Sequence, residues 1–300
     1  DVNSSYYDPR ESYPGWKTGL SAPATSNYLE IKAASAPLDP RPAGAPAKIG
    51  GALNLTADSL LTSMQTGGRD SGSWRFRFRS GMKLPVGTRI ERGRCSLSGG
   101  AVQGEGTFDR VTRETSINSS SCDAAVAFYP ATFFLENPAT LPADYGYTAT
   151  PVAIASSPGG RPGTLYKYEI KLANFGNNQA KYDNAMQSFA NWFSLYRTRR
   201  EALIGAATNA LYDTTNLRVG WFRINGRRPV TMFDMTTESQ RAKLLSEITR
   251  EMRADDSTPN RSAADYLGQQ FQRTDEGAPV LLACQKNAGM LFTDGYINED

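Results

Sequence analysis

Three hundred residues with 39% hydrophobic and 10% aromatic content are enough for one large or two ordinary domains with a real core. The 33 basic and 30 acidic side chains leave a net charge of only +3, which gives no electrostatic reason to expect a nucleic-acid or membrane partner. Histidine is absent altogether, so histidine-dependent triads, histidine zinc ligands and imidazole acid–base catalysis are excluded, and the balance tips away from an enzyme.

The first fifty residues are punctuated by Pro and Gly, in YYDP at 6–9, YPGW at 13–16 and LDPRPAGAPAK at 38–48. We read them as an extended surface segment pinned by aromatic side chains, its Ala/Pro portion a flexible loop. No signal-peptide pattern opens the sequence, and no run approaches the roughly 18 apolar residues that span a bilayer. We therefore expect no membrane span, and an export signal that has been removed or omitted.

Between residues 51 and 173 short strand patterns alternate with turn clusters, most clearly at 74–79. There Trp74, Phe76 and Phe78 point one way and Arg75, Arg77 and Arg79 the other. The arginine row is either a grip for an anionic ligand or, more simply, a solvated face that discourages edge pairing. Further strands are expected at 88–92, 125–135 and 165–172. Cys95 and Cys122 bracket a loop rich in Gly, Ser and Thr, where a disulfide would replace the missing hydrophobic staple. The alternative is two thiols in a reducing compartment. Cys284 is left over, either free and buried or partnered outside this sequence.

From Ala180 the pattern changes to helices alternating with strands. Tyr182, Met186, Phe189, Phe193 and Tyr196 recur at helical spacing, and Leu203, Ile204, Ala207 and Leu211 continue the face. Gln187, Asn191, Ser194, Thr198 and Glu201 hold the opposite stripe. Residues 217–224 are apolar with little alternation, the pattern of a strand covered by helices on both faces of a parallel sheet. A short strand is expected at 229–235, and Thr237 with Gln240 forms a capping box opening a helix lined by Leu244, Leu245, Ile248 and Met252. Thr258 and Pro259 start another, with Ala264, Leu267 and Phe271 inward. Residues 288–295 read as an apolar strand ending in an acidic turn at Asp294. This order predicts an α/β domain over 179–300 carrying a β-rich insertion over 6–178.

The blocks SFANWFSLYRTR at 188–199, LRVGWFRIN at 217–225, STPNR at 257–261 and CQKNAGMLFTDGYIN at 284–298 resemble the PilY family of bacterial type IV pilus tip and biogenesis proteins. YYDP, YPGW and FYPATFF at 128–134 add to the resemblance. It implies a von Willebrand factor A-like doubly wound, mostly parallel sheet with a long β-rich insertion. The first strand and the C-terminal part of that domain would lie outside these 300 residues. It also implies an extracellular, non-enzymatic protein at the pilus tip, exported through the periplasm and outer membrane, that contacts minor pilins and a host or abiotic surface in assembly, adhesion and force sensing.

The same resemblance implies a site for a divalent cation such as Mg²⁺, at the edge where ligands of open α/β sheets collect. Its pattern is an Asp-x-Ser-x-Ser loop, a threonine before a later helix and an aspartate ending the fourth strand. Asp1, Ser5, Thr258 and Asp294 occupy those places, with Asn3 where the first serine belongs. Residues 69–73 mimic the loop but put Arg69 at the leading position with no apolar strand before it. The competing reading is a secreted carbohydrate- or matrix-binding module with the β-rich insertion as its binding surface. A hydrolase built on Asp255 and Asp256 ranks last, because neighbouring loop carboxylates diverge and no nucleophile has a matching base.

Overall fold

The computed structural model describes residues 6–18, 28–60, 75–99, 101–154, 164–253 and 257–293. The chain divides into two units, one comprising Asp1–Tyr13, Ile31–Asp39 and Gly50–Ser194, the other Pro14–Glu30, Pro40–Ile49 and Leu195–Asp300.

Alternation dictates the first unit. Phe76–Arg79 pairs antiparallel with Ser121–Ala124, so Phe78 stands opposite Cys122 on the inner face and Arg77 opposite Asp123 on the outer. Phe78, Leu84, Ile90, Val111, Ile117 and Ala124 form the buried core, with Phe76, Cys95 and Cys122 packed on it. A five-stranded sheet runs in the spatial order Ser59–Leu60, Val126–Phe128, Arg89–Glu91, Phe108–Val111, Val102–Glu105. Its last two strands meet in a two-residue loop whose first position, Gly106, has φ +60°. That is the place a type II′ hairpin turn reserves for glycine. A separate three-stranded sheet, Thr132–Leu135, Leu165–Glu169 and Val152–Ile154, stacks Phe133 on its cross-strand neighbour Tyr168 at 5.0 Å.

Helix α1, Gln179–Asn191, begins where the Asn178 side chain accepts the Lys181 N–H. The long helix expected here is two helices. A π turn at Trp192–Tyr196 intervenes before α2, Arg199–Tyr212. Met186 and Phe189 are buried as their spacing predicts, but so are Asn191 and Ser194 from the opposite stripe. The N-terminal segment covers them. The Asn191 amide accepts the Ile31 N–H at 3.2 Å and donates to the Tyr13 carbonyl at 2.9 Å. Gln187 donates to the Ile31 carbonyl, and the Ser194 hydroxyl to that of Pro37. Rich in proline, this segment cannot form a regular ladder, so side chains satisfy its backbone groups. Aromatic side chains pin the segment as expected, Tyr7 and Trp16 being buried, but parts of it are set below the surface while Arg10, Glu11 and Ser12 stay exposed. Tyr7 is buried, with Phe133, Phe189 and Trp192 around its ring.

In the second unit α3, Glu238–Glu251, buries Leu244, Leu245 and Ile248, and α4 spans Asn260–Phe271. The inward residues of α4 are Asn260, Ala263 and Gln270, in place of the expected Ala264, Leu267 and Phe271. Gln270 explains the shift, since its side-chain oxygen accepts the Val230 N–H at 3.0 Å and fixes which face turns inward. The capping box does not form. Gln240 instead accepts the Asp234 N–H at 2.8 Å, and the Thr237 side chain makes no cap bond.

The strand expected at 217–224 shrinks to Arg218–Val219, paired antiparallel with Phe233–Asp234. Residues 288–293 are exposed and belong to no strand. Every described strand pairing is antiparallel. The doubly wound, mostly parallel α/β sheet of the von Willebrand factor A type is thus overturned: among the described residues the strands form several small antiparallel sheets accompanied by four α-helices. No helix among them is long and apolar enough to cross a membrane.

Candidate functional site

The outer face of the first unit carries the arginine row, and the structure decides between its two readings. Arg77 pairs with Asp123 at 3.0 Å directly across the strand pair, and Arg75 makes a two-pronged contact with Glu91 at 2.8 and 3.0 Å. Arg94 shares Glu91, Arg92 takes Asp109, Lys83 takes Glu114, and Arg110 takes Glu105. Arg89 bridges Asp58 and Glu105 while its guanidinium lies over the Phe108 ring. An acid therefore answers most of the basic side chains, and the arginine row is part of a lattice of ion pairs. Exposed pairs of this kind stabilise little, so their main effect is on strand register and edge protection.

Glu91 is the node of the lattice. Hydrogen bonds from Arg75, then from the Ala125 N–H and Arg94, hold its carboxyl at about 2, well below the ordinary 4.5. The sign follows from linkage: the contribution is fully present above pH 4.5 and is lost as pH falls toward 2. We expect urea midpoints to drop between pH 5 and 3, with the drop reduced in Glu91→Gln; an unchanged acid profile in that variant would remove Glu91 as the node.

Cys95 and Cys122 are joined in a disulfide, as their bracketing of the loop suggests. Cys284 has no disulfide partner within the chain and is exposed, so it is not the free and buried thiol that was one of the two expectations.

Of the four residues assigned to a cation, Asp1, Ser5 and Asp294 lie outside the described residues, as do Asp255 and Asp256. Thr258 lies just before α4, where its carbonyl accepts the Asn260 N–H at 2.9 Å and Pro259 takes the cap position. The parallel sheet edge that was to gather them is missing from the described residues, which also contain no group of three or more acidic or cysteine side chains placed to hold a metal. One threonine does not make a ligand set, and no chemistry is derived through a cation here.

Comparison with protein-family models, with curated proteins and with solved structures finds no match for this chain.

Proposed function

We propose that this chain is an exported, non-enzymatic attachment protein that works at the tip of a type IV pilus, in contact with minor pilins and an external surface. The observation that carries the reading is the disulfide-closed β-rich unit, because such bonds persist in oxidising compartments such as the periplasm and the cell exterior. The sequence blocks that resemble PilY proteins supply the pilus, and the absence of histidine supports a binding role over catalysis. The von Willebrand factor A sheet forms no part of it.

Co-expression with a set of minor pilins tests this. The chain should co-purify with them at defined stoichiometry; recovery of the chain alone from cells that assemble the pilins would sink the pilus role. A second reading, a secreted carbohydrate- or matrix-binding module, draws on the lattice face, where Arg79 stands opposite Ser121 with no acid across from it. The double variant Arg77→Glu, Arg79→Glu should then abolish binding to immobilised matrix while leaving pilin co-purification intact.

A further inference from the structure

The second unit carries a feature with no part in that reading. Beyond Val219 the chain turns back on itself at Arg223–Gly226, where the Gly226 N–H donates to the Arg223 carbonyl at 3.0 Å. The turn shapes a hollow lined by Trp221, Phe222, Arg223, Gly226, Arg228 and Glu251. It measures about 50 Å³, several times the roughly 10–15 Å³ one water requires, so it admits a head group of a few atoms and no whole ring.

Its polar groups lean one way. The Trp221 indole N–H is buried without an acceptor. Arg228 lies over the Trp221 ring at 5.9 Å and reaches Glu247 at 3.0 Å. Glu251, the one acid on the wall, is engaged by Arg250 at 2.7 Å. Arg223 has no ion-pair partner among the described residues. A guanidinium without an ion-pair partner on the wall of a hollow suits an oxyanion, whose geometry matches the guanidinium fork. Gly226 belongs to the same design: a Cβ there would come within 2.8 Å of the Arg223 guanidinium. Phe222, braced edge-on by Tyr266 at 5.2 Å, offers an apolar wall beside the charge. An aromatic wall next to an arginine is the combination that receives a sugar ring bearing a carboxylate.

We propose that this hollow binds the carboxylate of an acidic sugar, with Arg223 on the carboxylate and the sugar ring against Phe222. The site lies in the unit without the disulfide lattice, and it stands whether or not the chain works at a pilus.

Calorimetric titration of the full chain with a galacturonate trimer, a neutral galactose trimer, and inorganic phosphate and sulfate tests it. Saturable binding of the uronate alone is expected, weakened at least tenfold in Arg223→Gln and unchanged in Arg227→Gln, an exposed neighbour. Gly226→Ala, which keeps every charge but displaces the Arg223 guanidinium, should weaken it several-fold. Undiminished uronate binding by Arg223→Gln overturns the proposal, as does equal binding of the neutral trimer. Phosphate or sulfate binding as tightly as the uronate overturns the sugar assignment and leaves an inorganic-anion site.

Discussion

Removing the Cys95–Cys122 bond, by reduction or by double replacement with serine, is expected to destabilise the β-rich unit by about 3.5 kcal/mol. The bond closes a loop of 27 residues, and the chain-entropy relation converts that length into the stated figure. The loop is not decoration. It contains the hairpin Val102–Glu105 and Phe108–Val111, which forms one side of the five-stranded sheet. Beneath it lies a buried apolar cluster of Phe78, Leu84, Ile90, Val111, Ile117 and Ala124. A tie of that size is a large fraction of the marginal stability of any domain. The check is denaturant unfolding with and without reductant, read alongside Cys284→Ser. That single variant should behave like the parent, because Cys284 is exposed and unpaired. A midpoint that does not move on reduction would mean the lattice and core suffice, and the support for an exported attachment protein would weaken with it.

Where the sequence was legible, one physical signal dominated. Phe76 and Phe78 against Arg75, Arg77 and Arg79 can satisfy both water and a core only as a two-faced strand, and that strand is present. Met186 and Phe189 likewise admit one helical reading, which α1 follows. The run at 217–224 has a hydrophobicity that fits a buried parallel strand as well as other structures. Asn225-Gly226 was the available arbiter, since that dipeptide is among the stronger signals for a chain reversal. Such a reversal returns Phe233–Asp234 antiparallel to Arg218–Val219. Gly220 assists, because a Cβ there would collide with Val230 and Met232 of the returning segment.

The polar stripe on α1 failed for a different reason. Periodicity shows which side chains share a face but not whether distant backbone will cover it, and Asn191 is buried by residues far away in sequence. The total charge of +3 hides three arginines, Arg223, Arg227 and Arg228, gathered around one Asn-Gly turn beside the hollow.

Replacing Trp16 by alanine is expected to destabilise the second unit by about 3–5 kcal/mol, a drop in its unfolding midpoint on the order of 10 °C. Trp16 is fully buried, and its indole N–H donates to the Leu195 carbonyl at 3.1 Å. Neighbouring bonds fasten the same short strand to α2 and the turn before it. The Lys17 N–H donates to the Asn209 side chain, and the Tyr196 hydroxyl to the Pro14 carbonyl. Alanine would leave both a cavity and an unpaired buried carbonyl, two penalties that add. Gly205 gives an independent handle on the contact, because a Cβ there would lie 2.8 Å from the indole nitrogen and 3.0 Å from the Tyr196 ring. The fit requires a bare helix backbone at that point. Gly205→Ala should therefore cost about 1–3 kcal/mol through overpacking, against the usual gain from removing a mid-helix glycine. Helical circular dichroism and hydrogen exchange of α2 amides give the readout. If Trp16→Ala leaves α2 protection intact, the N-terminal strand rests on the helix without helping to hold it. If Gly205→Ala stabilises, the indole is packed more loosely than these distances imply.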